Sequence, residues 1–117
     1  MRILTFVTSI LLTVMAATAA KAHAFLDHAE PRVGSAVPSA PREVSLFFSQ
    51  NVEAAFSGVE VSDANGTRVD QGKPSINGGV MRVGLKPLPP GTYKVRWHVL
   101  SVDTHTTEGS FSFHVGP

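Results

Sequence analysis

Residues 23–117 predict an all-β domain, a Greek-key immunoglobulin-like sandwich of about seven strands. Three observations carry that expectation. Short segments alternate apolar and polar residues with a period of two, clusters of Pro and Gly separate them, and no window of 11 residues carries a helical stripe.

The elements follow in order. Ala24 to His28 reads as a first strand, ended by Glu30-Pro31 and the polar stretch Gly34 to Pro41, where Pro38 and Pro41 exclude a central strand. Glu43 to Ser49 turns Val44, Leu46 and Phe48 inward and Ser45 and Ser49 outward, with Phe47 the exception to the alternation. Phe56 to Asp63 places Val59 and Val61 on one face, and Asn65-Gly66 supplies a tight turn that leads back through Val69. Val80 to Lys86 alternates again until Pro87, Pro89, Pro90 and Gly91 remove backbone donors and fix φ. Thr92 to Leu100 carries Tyr93, Val95, Trp97 and Val99 on one face and Lys94, Arg96 and His98 on the other. Ser110 to Val115 mirrors it with Phe111, Phe113 and Val115 inside. The parity of Tyr93 and Trp97 assigns both to the core.

Composition narrows the function. The 117 residues are 43% hydrophobic and 16% charged, which describes one folded domain. Cysteine is absent, so there is no disulfide framework, thiolate metal site or cysteine nucleophile. No run of Lys or Arg offers a footprint for nucleic acid or an anionic membrane surface.

The first 22 residues read as an address. Met1 and Arg2 begin it, an apolar run from Ile3 to Ala17 follows, and Ala20-Lys21-Ala22 presents the small residues a signal peptidase inspects. The apolar run is shorter than the ~18–20 residues a membrane span needs. Cleavage is expected between Ala22 and His23, leaving residues 23–117 as a soluble, exported domain with the periplasm as its destination. Removing Arg2 and Lys21 leaves eight Lys/Arg against nine Asp/Glu, so the mature domain is nearly neutral.

That cleavage creates a chelate, because the α-amine and imidazole of His23 can bind the same ion. Their reference pKa values, ~7.7–8.0 and ~6.5, allow a strongly competing metal to displace both protons near neutral pH. Copper(II) heads the divalent affinity order and accepts a tetragonal set of nitrogens and oxygens. Only Met81 remains after cleavage, so a sulfur-rich copper(I) site is not expected. The second half of the site is Asp103-Thr104-His105, between the two best strands. In extended backbone, residues two apart point to the same side, so Asp103 and His105 can offer one oxygen and one nitrogen to a single point. By itself D-x-H is weak, since a loop Asp commonly bonds local backbone and a loop His is commonly solvated.

The segments His23-Ala24-Phe25-Leu26-Asp27-His28-Ala29-Glu30-Pro31, Leu46-Phe47-Phe48-Ser49, Phe56-Ser57-Gly58-Val59, Gly91-Thr92-Tyr93-Lys94-Val95-Arg96-Trp97, and Ser101-Val102-Asp103-Thr104-His105 through Gly109-Ser110-Phe111 span essentially the whole mature chain. Together they resemble the copper-resistance CopC family. The resemblance implies a periplasmic copper carrier in which His23, Asp103 and His105 hold one copper(II) ion, and an inner-membrane copper transport partner of the CopD type. Members with a copper(I) site carry a Met-rich stretch between the middle strands, whereas Val69 to Val80 has no Met, which resembles the copper(II)-only branch. Some members place a Glu after the Phe-Ser of the second strand, where this chain has Gln50. Gln50 can hydrogen-bond a ligand but adds no negative charge.

Other histidines read more plainly. His28 is five residues from His23 and is expected on the opposite, outer side, while His98 and His114 fall on the polar face of neighbouring strands, where near-register pairing would form a weak second metal site. Three functions suit these features: a copper(II) carrier, a histidine-brace copper oxidase or monooxygenase, and a structural sandwich without metal. The enzyme needs an open coordination position that Asp103 would fill, and neither a Ser/His/Asp order nor a paired-carboxylate motif points to hydrolysis. The carrier, which is not an enzyme, is the expected function.

Overall fold

A computed structural model describes residues 24–117; the expected signal segment and His23 lie outside them. Eight strands run in the order β1 (Leu26–Glu30), β2 (Ala36–Val37), β3 (Glu43–Phe48), β4 (Gly58–Ser62), β5 (Asp70–Asn77), β6 (Val80–Leu85), β7 (Gly91–Leu100) and β8 (Thr106–Val115), with a 3-10 turn at Ala54–Phe56. They form two four-stranded sheets, β1-β3-β6-β5 and β2-β8-β7-β4. The short β2 pairs parallel to β8 and every other named pairing is antiparallel.

Alternation builds the core. Val44, Leu46 and Phe48 of β3 and Met81, Val83 and Leu85 of β6 face Val59, Val61, Tyr93, Val95, Val99, Phe111, Phe113 and Val115 of the other sheet, all buried. Removing each such side chain from water contributes about 1.5–3 kcal/mol, which has to stabilise a domain without cross-links. Trp97 is only partly buried, packed at the rim of this core, with its ring edge-on to Phe48 at a centroid distance of 5.1 Å. Opposite it stands Gly109, where an added Cβ would lie 2.6 Å from the indole.

The structure has eight strands where about seven are expected, and β2 and β5 are the ones the sequence pattern does not mark. Both escape the alternation rule: β2 is two residues long, and β5 contains Gly72 and Pro74, with its register shifting between Gln71 and Ser75. These residues are tolerated because both strands lie at sheet edges, where one row of backbone groups needs no partner strand. The expected turn at Asn65-Gly66 forms, with Gly66 at φ +83° and Asp63 Oδ1 accepting from the amides of Asn65 and Thr67. The returning chain makes a bridge at Arg68 and then crosses to the other sheet as β5. Asp70 secures this crossing: Oδ1 accepts from the Val61 amide at 2.9 Å and the Arg68 Nε at 2.7 Å, and Oδ2 accepts from Arg68 Nη2.

Ser45 has the expected outward parity yet is buried. It is flanked by Glu30 of β1 and Arg82 of β6, whose longer side chains share its face. Phe47, the exception to the pattern, also faces outward, with its ring under His28 in a parallel stack 4.2 Å between centroids.

Candidate metal centre

The loop between β7 and β8 is a closed turn. The Ser101 amide donates to the His105 carbonyl at 2.9 Å, and the Thr104 amide donates to the Ser101 carbonyl at 2.9 Å. Thr104 sits at φ +73°, the one non-glycine residue with positive φ among those described. A β-branched residue pays roughly 1–2 kcal/mol for that conformation, so the surrounding bonds must impose it.

Ser101 imposes much of it. Its hydroxyl, wholly buried, accepts from the His105 amide at 3.3 Å and donates to Asp103 Oδ1. Neighbouring segments brace the turn from outside: the Glu53 amide donates to the Leu100 carbonyl, the Val102 amide to the Asn51 carbonyl, and the Leu100 amide to Ser57 Oγ. Gln50, half-buried, immediately precedes Asn51.

The turn brings Asp103 Oδ1 within 3.5 Å of His105 Nδ1, with the two side chains 37% and 49% exposed. The Ser101 hydrogen bond, followed by the contact with His105, holds the Asp103 carboxyl below the usual carboxylate range despite some desolvation. Asp103 and His105 do share a side, as expected, though through a left-handed turn rather than extended backbone. An oxygen and a nitrogen each ~2 Å from one ion and adjacent around it lie roughly 3 Å apart, so a small rotation lets this pair close on a single cation. Among the described residues no group of three or more His, Cys, Asp or Glu converges.

The first described residue lies at this end. Ala24 is fully buried, and its carbonyl accepts from Thr107 Oγ1 at 2.7 Å, two residues beyond His105. The Phe25 amide donates to Ser49 Oγ, and the Ser49 amide returns a bond to the Phe25 carbonyl. Residues 24 and 25 are thereby fixed between the end of β3 and the beginning of β8. Sequence reasoning missed Ser101, Ser49 and Thr107. Only Ser101 left a signal, as a hydroxyl two residues before an Asp in a turn.

Two expectations about the other histidines resolve here. His28 is half-exposed on the outer face of β1, bonded to Asp27. His98 and His114 do not approach each other, because His98 pairs with Glu108 and His114 with Thr92, six positions apart along the β7–β8 ladder. At about 3.3 Å per residue the separation is near 20 Å, so the two cannot share an ion. His114 Nδ1 is instead 3.1 Å from Thr92 Oγ1.

The model of the CopC domain matches residues 26–116. The chain belongs to the CopC family. It is 35% identical to Protein YobA of Escherichia coli K12 over 97% of this chain and 95% of that one. It is also 36% identical to the Copper transport protein CutJ of Bacillus subtilis, over 81% of this chain but only 18% of that much longer protein. In structure this CopC-family chain resembles PcoC, a methionine-rich copper resistance protein from Escherichia coli, with a TM-score of 0.72 and 34% identity over 80% of this chain and 99% of that one.

Proposed function

We propose that this CopC-family protein is a periplasmic copper carrier, exported with loss of residues 1–22, that binds one copper(II) ion through the amine and imidazole of His23, the Asp103 carboxylate and the His105 imidazole. The observation that carries the reading is the Thr107–Ala24 hydrogen bond, which fixes the residue next to His23 at the end of the sandwich that bears Asp103 and His105. Three nitrogens and one oxygen suit copper(II). Copper(I) would favour sulfur, and Met81, the single Met after residue 22, is sealed in the core. The contrast with methionine-rich PcoC supports a protein that handles the divalent ion.

A carrier is favoured over a copper oxidase because Asp103, as a ligand, would fill the coordination position that an oxidase keeps open for oxygen. CutJ, in which a CopC-like segment is joined to a much longer copper transport protein, supports delivery to a membrane transport partner of the CopD type. Gln50 is proposed to hydrogen-bond a ligand without adding charge.

The test is a copper(II) titration, followed by paramagnetic resonance, of protein beginning at His23 beside protein carrying one extra N-terminal Gly. Tight one-to-one binding with a nitrogen-rich tetragonal spectrum is expected in the first and much weaker binding in the second. Equal weak binding in both would overturn the N-terminal ligand.

A further inference from the structure

Four large apolar side chains stand exposed among the described residues: Phe25, Val33, Phe56 and Val102. Three of them belong to the metal-bearing end. Phe25 is tied to Ser49, Val102 to Asn51, and Phe56 follows the Glu53 amide that bonds Leu100, so a single segment, residues 49–57, links all three to the Asp103–His105 turn. Phe56 is 65% exposed, Val102 55% and Phe25 48%.

The charge of this end is one-sided. Segments 24–28, 49–57 and 99–107 contain Asp27, Glu53 and Asp103 and no Lys or Arg. Acidic groups beside the apolar residues disfavour an anionic lipid surface and favour a basic protein surface. Three partly exposed side chains fall well short of the ~800 Å² per partner of a stable dimer. A weak, transient contact fits these dimensions. Cargo held at Asp103 and His105 must also leave through this end.

We propose that Phe25, Phe56 and Val102 form a docking rim around the copper loop, and that it engages a copper transport protein presenting an apolar, positively charged surface. The inference rests on the carrier reading above. CutJ indicates the kind of partner, since there a CopC-like segment is part of the same chain as a copper transport protein and is held near it at high effective concentration. Phe56 makes the cleanest probe because it lies outside the metal-binding turn and is mostly exposed, so polar replacement leaves the fold intact.

The experiment grafts residues 23–117 in place of the CopC-like segment of CutJ, expresses the hybrid in Bacillus subtilis lacking its own CutJ, and measures cell copper by mass spectrometry. In parallel, copper(II) affinity and association state are measured on the same variants of the separate protein. The hybrid is expected to restore copper content to within about twofold of native CutJ, and Phe56→Asp to lower the restored amount at least fivefold with unchanged copper affinity. Phe56→Leu is expected to retain it. Full transport by Phe56→Asp, or no transport by a hybrid that is expressed and copper-loaded, would overturn the docking rim. A stable dimer abolished by Phe56→Asp would overturn it in favour of a second copy as the occupant. Failure of the separate unsubstituted protein to bind copper would instead bring down the carrier reading beneath it.

Discussion

The buried hydroxyl of Ser101 bonds both the backbone amide of His105 and the carboxylate of Asp103, so one side chain sets the position of both candidate ligands in the turn. Ser101→Ala would leave the His105 amide without its partner and release the carboxylate. A stability loss of about 1–2 kcal/mol is expected in denaturant unfolding, together with roughly tenfold weaker copper(II) binding. Unchanged affinity would show that the metal itself orders the turn.

Thr107→Val removes the bond to the Ala24 carbonyl while keeping shape and β-propensity. Copper affinity should fall several-fold with a stability change near 1 kcal/mol, because the first residues lose their anchor while the sandwich keeps its core. The effect should vanish in protein carrying the extra N-terminal Gly, which has already lost the amine chelate.

Thr104→Gly separates strain from function. Glycine adopts φ +73° without steric penalty but adds freedom to the unfolded chain, for a net gain of about 0.5–1 kcal/mol in metal-free protein. A rise of several degrees in Tm is expected, with copper affinity lowered because the turn is less confined. A fall in Tm would show that the Thr104 hydroxyl stabilises the turn by more than its backbone costs.

Acid should act on binding and on fold in different ranges. Asp103 has its pKa lowered chiefly by the Ser101 hydroxyl, so it remains ionised at pH 5 and does not set any release of copper between pH 7 and 5. Asp103→Asn is therefore expected to weaken binding at every pH without shifting that release profile. Asp70 bears on the fold. Its pKa is lowered first by the hydrogen bonds from Arg68, so its contribution is present above the unfolded carboxylate value near ~3.9 and is lost as pH falls through the lower folded value. Asp70→Asn should flatten stability against pH below about 4 and cost about 2 kcal/mol at pH 7, read from urea unfolding. An unchanged acid profile would remove Asp70 from the account.

Gly109→Ala tests the core rim. Its methyl would meet the Trp97 indole at 2.6 Å, so the ring must shift and its edge-on contact with Phe48 is disturbed. A loss of about 1–3 kcal/mol and a shifted tryptophan emission are expected.

Much of this was legible beforehand. Strands β3, β6, β7 and β8 announced themselves because each is half-buried, so Val44, Val83, Val95 and Phe113 recur at a period of two. The edge strands were hidden, since β5 accommodates Gly72 and Pro74 where only one side of the backbone must pair. Asp103 and His105 could be chosen from residue type and spacing, but their approach depends on a left-handed Thr104, which no propensity announces. The His98–His114 pairing failed because the strands are ten residues long, and reflection about the connecting loop places His98 near the turn and His114 far from it.

The burial of Met81 has a chemical consequence. Copper that cycles between oxidation states in the presence of oxygen generates species that attack thiols and thioethers first. This chain has no Cys, and its core Met is 0% exposed. A domain that ferries a redox-active ion would thus hold its most oxidisable side chain between two sheets, out of contact with those species.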